Sequence, residues 1–361
     1  MLFCYAANAY EDNWLHDTLL TIILEGMDRI DADQQIAAWP DCIPEPRRAV
    51  LSARTGLRDR RTTFFTAYEG LPPEGRAAVR GAAGLQNAIP ALYDGHTACV
   101  RLSDLPETIH EPAKELFRFA FKLLTPLGLR DDHYKKVYNS LKYRVCPFCG
   151  VERLDAPLMP REDLDHYLPI AIYPFAGSNL RNLSPMGGRC NSSFKHTADI
   201  IFDAAGLRRR CSDPYNGPSF QISLKDSVPF EGKMVNLVKC PQWIIEIEGD
   251  DADAATTWDN VFSIRERYIA SHLNPEFRDW ASHFARWCVR SGKSVTDTAE
   301  SVAALSDYME ITIQEGLADS AFLKRAVFSM LRDRCADGPL SERITEWLID
   351  LVSNHMMADA A

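Results

Sequence analysis

The chain has 361 residues, 46% of them apolar and 25% charged, and a net charge of −10 at neutral pH. That length holds two or three domains and can bury a core without a disulfide framework. The composition is that of an ordinary soluble globular protein and not of a largely disordered chain, and the acidic balance argues weakly against coating nucleic acid through bulk charge.

Met1 to Ala7 shows no basic segment leading into a long apolar stretch. The longest apolar run nearby, Leu19 to Leu24, falls far short of the roughly 20 residues of a membrane span, so a cytoplasmic protein with no membrane partner is expected. Asn13 to Ile30 carries Leu15, Leu19, Ile22, Ile23 and Met27 at near-helical period. Proline breaks follow at Pro40, Pro44-Glu45-Pro46 and Leu71-Pro72-Pro73. Pro112 to Leu124 reads as a helix with its proline in the first turn, closed by Pro126 and Gly128, and His133 to Tyr143 as one more short helix. From Cys146 to about Tyr215, Gly, Pro, Asn and Cys become dense and helical periodicity fades, as in a small loop-rich module. Phe220 to Leu224 and Trp243 to Ile247 are strand candidates, and the acidic 248–253 stretch reads as a solvated loop. Val295 to Ile313, Ala321 to Leu331 and Leu340 to Val352 are amphipathic helix candidates. The predicted fold class is α+β: a helical domain over 1–140, a compact module over 141–220, and short strands followed by a helical domain over 221–361.

Most of the ten cysteines are isolated and read as reduced core residues. Cys146 and Cys149 differ, because Cys-x2-Cys around a tight turn is a zinc knuckle. Between Lys142 and Arg210 there are ten Lys and Arg against seven Asp and Glu, a local positive excess in an acidic chain. That fits a confined nucleic-acid site, and an excess of three charges is also small enough to arise by chance. Arg208-Arg209-Arg210 reads first as a solvated charge run. No Gly-x-Ser-x-Gly nucleophile turn is present. Gly292-Lys293-Ser294 lacks the upstream glycine of a phosphate loop because position 287 is Trp287, so ATP is not an expected cofactor.

The informative order is Cys146-Pro147-Phe148-Cys149-Gly150, then Asp165-His166-Tyr167-Leu168-Pro169, then Asn182-Leu183-Ser184-Pro185, then Cys190-Asn191-Ser192-Ser193-Phe194-Lys195. This series resembles the HNH endonucleases, in the branch with an Asp-His-Tyr/Phe-Leu-Pro core. Asp213-Pro214-Tyr215 and the stretch from Phe262 to Tyr268 are similar to elements found downstream in that branch. The resemblance covers 146–215 well and reaches about 285 more loosely. It implies a ββα-metal module with a zinc knuckle that hydrolyses DNA phosphodiester bonds.

Carried over residue by residue, the resemblance implies that Asp165 and Asn191 bind a catalytic Mg2+ or Mn2+. It makes His166 the general base and has Asn182 tie the connecting loop and orient His166. The residue types suit the chemistry: an imidazole takes a proton from water near neutral pH, and a hard divalent ion prefers oxygen donors. Asn191 would cap a helix from Ser192 to Ile201, with Lys195 one turn along as a phosphate contact and Arg181 and Arg189 as further nucleic-acid contacts. Structural Zn2+ would be held by Cys146, Cys149 and Cys190. The branch often supplies a second Cys-x2-Cys, but here its first position is Gly187, so that His196 or Cys211 fills the fourth position or the site has lost zinc. Modules of this branch occur beside ATPases in bacterial defence against phage, so DNA and such an ATPase are the implied partners. The competing class is a non-catalytic nucleic-acid-binding or assembly protein on a structural zinc module, favoured by Gly187 and the acidic bulk charge.

Overall fold

The structure, a computed structural model, describes residues 1–157, 159, 164–235, 238–313 and 316–360. It is α+β, mainly helical with small antiparallel sheets, and it divides into two compact units. The first comprises Met1, residues 3–148 and 153–218; the second comprises Leu2, residues 149–152 and 219–361. Among the described residues no helix is long and apolar enough to cross a membrane.

The first unit opens with α1 (Trp14–Asp31), α2 (Glu45–Leu51), α3 (Thr55–Glu69), α4 (Pro73–Leu85), α5 (Ile89–Leu92), α6 (His110–Leu123) and α7 (Leu129–Ser140). The proline clusters prove to be helix starts as well as breaks. Pro44 and Pro72 occupy N-cap positions, and Pro46 and Pro73 lie in the first turns of α2 and α4. There a missing N–H costs nothing and a fixed φ favours helix. Gly26 lets α1 approach α3, because a β-carbon at that position would stand 2.1 Å from Cζ of Phe65.

The module follows with β1 (Leu164–His166) and β2 (Leu183–Pro185), antiparallel in the register Leu164–Pro185, Asp165–Ser184 and His166–Leu183. A six-residue π-helix, Cys190–Lys195, comes next. The helix expected to run to Ile201 therefore stops early, and Asn191 lies inside it rather than at its cap. His196 takes φ 45° and breaks the helix, and the Asp199 carboxylate accepts the N–H groups of Ile201 and Phe202 in a separate turn. Leu164, Phe175, Leu180 and Leu183 belong to the same hydrophobic core as Ile23, Phe64, Val79 and Phe117 of α1, α3, α4 and α6. Module and N-terminal helices thus share one interior.

In the second unit β3 (Gln221–Ser223), β4 (Met234–Val235), β5 (Val238–Lys239) and β6 (Glu246–Glu248) form two small sheets, β3 with β6 and β4 with β5. Helices α8 (Ala252–Phe262), α9 (Ile264–Tyr268), α10 (Asn274–Ser291), α11 (Thr298–Ile311), α12 (Ala321–Ala336) and α13 (Ser341–Ala360) complete it. The acidic loop serves the fold directly, because the Asp251 carboxylate accepts the Ala254 N–H and caps α8.

Candidate metal centre and active site

Cys146, Cys149 and Cys190 are fully buried, and their sulfur atoms all lie within 4.8 Å of one another. An antiparallel bridge between Val145 and Arg153 closes the knuckle, and Gly150 takes φ 71°, a left-handed conformation that suits glycine. Thiolates on one tetrahedral zinc, at about 2.3 Å from the metal, lie roughly 3.8 Å apart. The group can therefore hold a metal ion such as zinc. His196 is exposed, with Nδ1 3.2 Å from the Thr197 hydroxyl, and Cys211 is buried with its thiol pushed up by that burial. Neither belongs to the group, and among the described residues no fourth His, Cys, Asp or Glu joins it. Within the second unit, α9 braces the knuckle turn. The Tyr268 hydroxyl donates to the Cys149 carbonyl at 2.7 Å, and Arg267 pairs with Glu152 at 3.0 Å.

Asp165 and His166 are consecutive on β1, so their side chains leave opposite faces of the strand. The His166 ring packs on Phe121 with centroids 4.4 Å apart, and its Nε2 stands 2.7 Å from the Gly177 carbonyl. A carbonyl only accepts, so Nε2 carries the hydrogen and Nδ1 keeps the lone pair. Burial pushes the imidazole down to about 4, against the Gly177 hydrogen bond and helped by the charges of Lys195 and Arg130. The ring is neutral at pH 7, the form a general base requires.

Asn182 is fully buried at the end of the connection that precedes β2. Its Oδ1 accepts the Leu168 N–H at 2.7 Å, and its Nδ2 donates to the carbonyls of Leu168 and Ala176 at 3.0 and 3.2 Å. Its own carbonyl accepts the Tyr167 N–H at 2.8 Å. One side chain thus ties the β1–β2 loop, from which Gly177 reaches His166. Asn191 is half-buried on the π-helix, one turn before Lys195.

Lys195 points inward and is 1% exposed, with Nζ 2.6 Å from Asp165 Oδ2 and donating to the His166 carbonyl at 2.7 Å. It thereby draws the π-helix against β1 rather than offering its charge to a surface phosphate. Arg181 is likewise buried, paired with the Asp213 carboxylate between the rings of Tyr10 and Tyr215. Arg189 is the exposed member of the three expected nucleic-acid contacts. Arg208 and Arg209, read as a solvated run, spend their guanidiniums on carbonyls: Arg208 on Leu92, Thr97 and Ile201, Arg209 on Asp199. A guanidinium's several donors make it an effective clamp for loop backbone.

The residues that hold this site in place were not apparent as a motif. The Asn13 side-chain oxygen accepts the Leu180 N–H at 2.8 Å. His16, fully buried on α1, lies 3.0 Å from the Ser178 hydroxyl and 2.8 Å from Asn87 Oδ1. Gln86 accepts the Phe175 N–H, and Asn87 donates to the Phe175 carbonyl, both at 3.0 Å. Behind β2, His133 lies 3.1 Å from the Leu183 carbonyl and 2.9 Å from the Tyr215 hydroxyl. The only local signal in the sequence is a polar residue on an otherwise apolar helix face, as at His16. No protein-family profile, curated protein or solved structure matches the chain.

Proposed function

We propose that the chain is a metal-dependent nuclease of the HNH type that hydrolyses DNA phosphodiester bonds. The observation that carries this reading is the setting of His166: next to Asp165 on β1, neutral, with Nε2 committed to a carbonyl and Nδ1 bearing the lone pair. In this reading Nδ1 takes a proton from water as its oxygen attacks phosphorus, and the 3′ oxygen departs on the opposite side. Asp165 and Asn191 would hold the divalent ion, their oxygen donors being of the type that Mg2+ and Mn2+ take. When bound, that ion neutralises charge on the phosphate and the leaving oxygen. Asp165 would serve the ion with a carboxylate that already meets the ammonium of Lys195. Asn182 keeps the loop that fixes His166. The cysteine group serves as a structural zinc site. A role in defence against phage beside an ATPase belongs to the same reading and follows from the sequence resemblance.

A second reading draws on Lys195. A buried ammonium on Asp165 already balances the charge that a catalytic cation would meet. A zinc-stabilised module that binds nucleic acid without cutting it accounts for that pairing. Cleavage of supercoiled plasmid by the purified chain with Mg2+ or Mn2+, beside His166→Ala, decides between the two. The nuclease reading expects nicked or linear product from the wild type and none from the variant. Equal cutting by both removes His166 as the base, and no cutting by a zinc-loaded, folded wild type favours the second reading.

A further inference from the structure

The second unit carries a cationic face that the site chemistry leaves unused. Residues 219–361 contain 23 Asp and Glu against 14 Lys and Arg, yet no acidic residue occurs from Trp280 to Thr296. On the C-terminal half of α10 this stretch sets out His283, Arg286 and Arg290, all exposed. Their spacings of three and four residues place them along one side of the helix over about 10 Å. From α12, Lys324 lays its ammonium 5.3 Å from the centre of the buried Tyr308 ring, and the Tyr308 hydroxyl lies 2.6 Å from His283 Nδ1. Lys324, Arg286 and Arg290 all stand close enough to oppose protonation of His283, after burial itself.

Among the described residues the nearest acids make no ion pair with these cations: Asp279 stands exposed one turn before His283 on α10. Asp307 takes Lys293 at 2.5 Å, and Glu276, which lends Lys324 some support, meets His272 at 2.9 Å. Among the described residues none of Arg286, Arg290 and Lys324 has a carboxylate within ion-pair distance. Three like charges, Lys324 over the Tyr308 ring and Arg286 and Arg290 along one side of α10, in a part of the chain otherwise rich in acid, repel one another until an anion arrives. Tyr308 sits among Phe284, Trp287 and Phe328, so the floor on which Lys324 rests is packed.

We propose that this face of α10 and α12, built from Arg286, Arg290, Lys324 and His283, binds the phosphodiester backbone of duplex DNA. It rests on the nuclease reading, which supplies the polyanion. The two guanidiniums each engage a phosphate through paired N–H donors, and Lys324 adds a point charge. Such contacts carry no base preference and give a grip independent of sequence.

The test is binding of a fluorescent 20-base-pair duplex to the full chain in EDTA, where cutting is absent, across a salt series. Arg286→Gln/Arg290→Gln is compared with wild type. Both side chains are exposed, so folding is retained, and circular dichroism checks it. Loss of two phosphate contacts is expected to flatten the slope of log affinity against log salt by about 1.8 and to weaken low-salt binding tenfold or more. Unchanged affinity and slope would overturn the proposal while leaving the plasmid assay untouched. Equal competition by poly-glutamate of matched charge would also overturn it, in favour of an acidic protein ligand. A reduced slope together with no plasmid cleavage would keep the surface and sink the nuclease reading.

Discussion

Lys195→Met removes the ammonium that stands 2.6 Å from Asp165 Oδ2, in a pair whose side chains are 1% and 15% exposed. The gross attraction of two unit charges at that distance is about 6 kcal/mol at an effective dielectric of 20, most of it spent on taking both groups out of water. Removing one partner leaves the other charge buried and costs about 3–5 kcal/mol. The hydrogen bond to the His166 carbonyl goes with it, so a loss toward the upper end is expected. Asp165→Asn strips the charge from the other side. In the double variant no unpaired charge remains, so the two losses should fall short of their sum by about 2–3 kcal/mol. Urea denaturation followed by circular dichroism, run on the four chains of the cycle, measures that coupling. A coupling below about 0.5 kcal/mol would refute the argument that Lys195 is the internal counter-ion of Asp165 and would return it to the surface phosphate role.

Two further outcomes follow from the same geometry. Purified chain should carry one zinc, read by atomic absorption, and Cys190→Ser should lose it and melt at lower temperature, whereas Cys211→Ser should keep it; equal zinc in both variants would dissolve the proposed ligand set. His16 is pushed by burial down to about 4, so it stays neutral in the folded chain while the unfolded chain takes up a proton below about 6.5. Its contribution is whole above that pH and fades as pH falls toward 4, by about 3 kcal/mol, with the likewise depressed His133 adding in the same direction. His16→Gln should flatten the decline in stability between about pH 6.5 and 4.5 by about one proton, and an unchanged slope would rule His16 out as its source.

The buried cysteine group was legible in part, and the candidate residues around it could be named, because their spacing is local in sequence. Cys-x2-Cys fixes two thiols on one turn, and Asp165 and His166 are neighbours on one short strand, with side chains on its opposite faces. The helices of the first 140 residues could be located in part from period and proline, since burying an apolar stripe and dispensing with an N–H are decided within a few residues. The short reach of the helix after Cys190 was not legible. His196 in a left-handed conformation and the Asp199 turn outweigh a plausible helical pattern, and single residues of that kind leave little trace in periodicity.

The charged side chains divide most sharply between the two levels. By itself the sequence singled out the candidate residues, Asp165, His166, Asn182, Asn191 and the three cysteines, and a positive excess between Lys142 and Arg210. Only the tertiary structure decided where those charges point: Lys195 to Asp165, Arg181 to Asp213, Arg208 and Arg209 to loop carbonyls. A long cationic side chain meets a phosphate, a carboxylate or a carbonyl equally well, and the choice rests on which partner the fold brings within about 3 Å. The same holds for Asn13, His16, Gln86 and Asn87. Their hydrogen bonds to the β1–β2 loop span between 88 and 167 residues of chain, a separation across which no local pattern carries information.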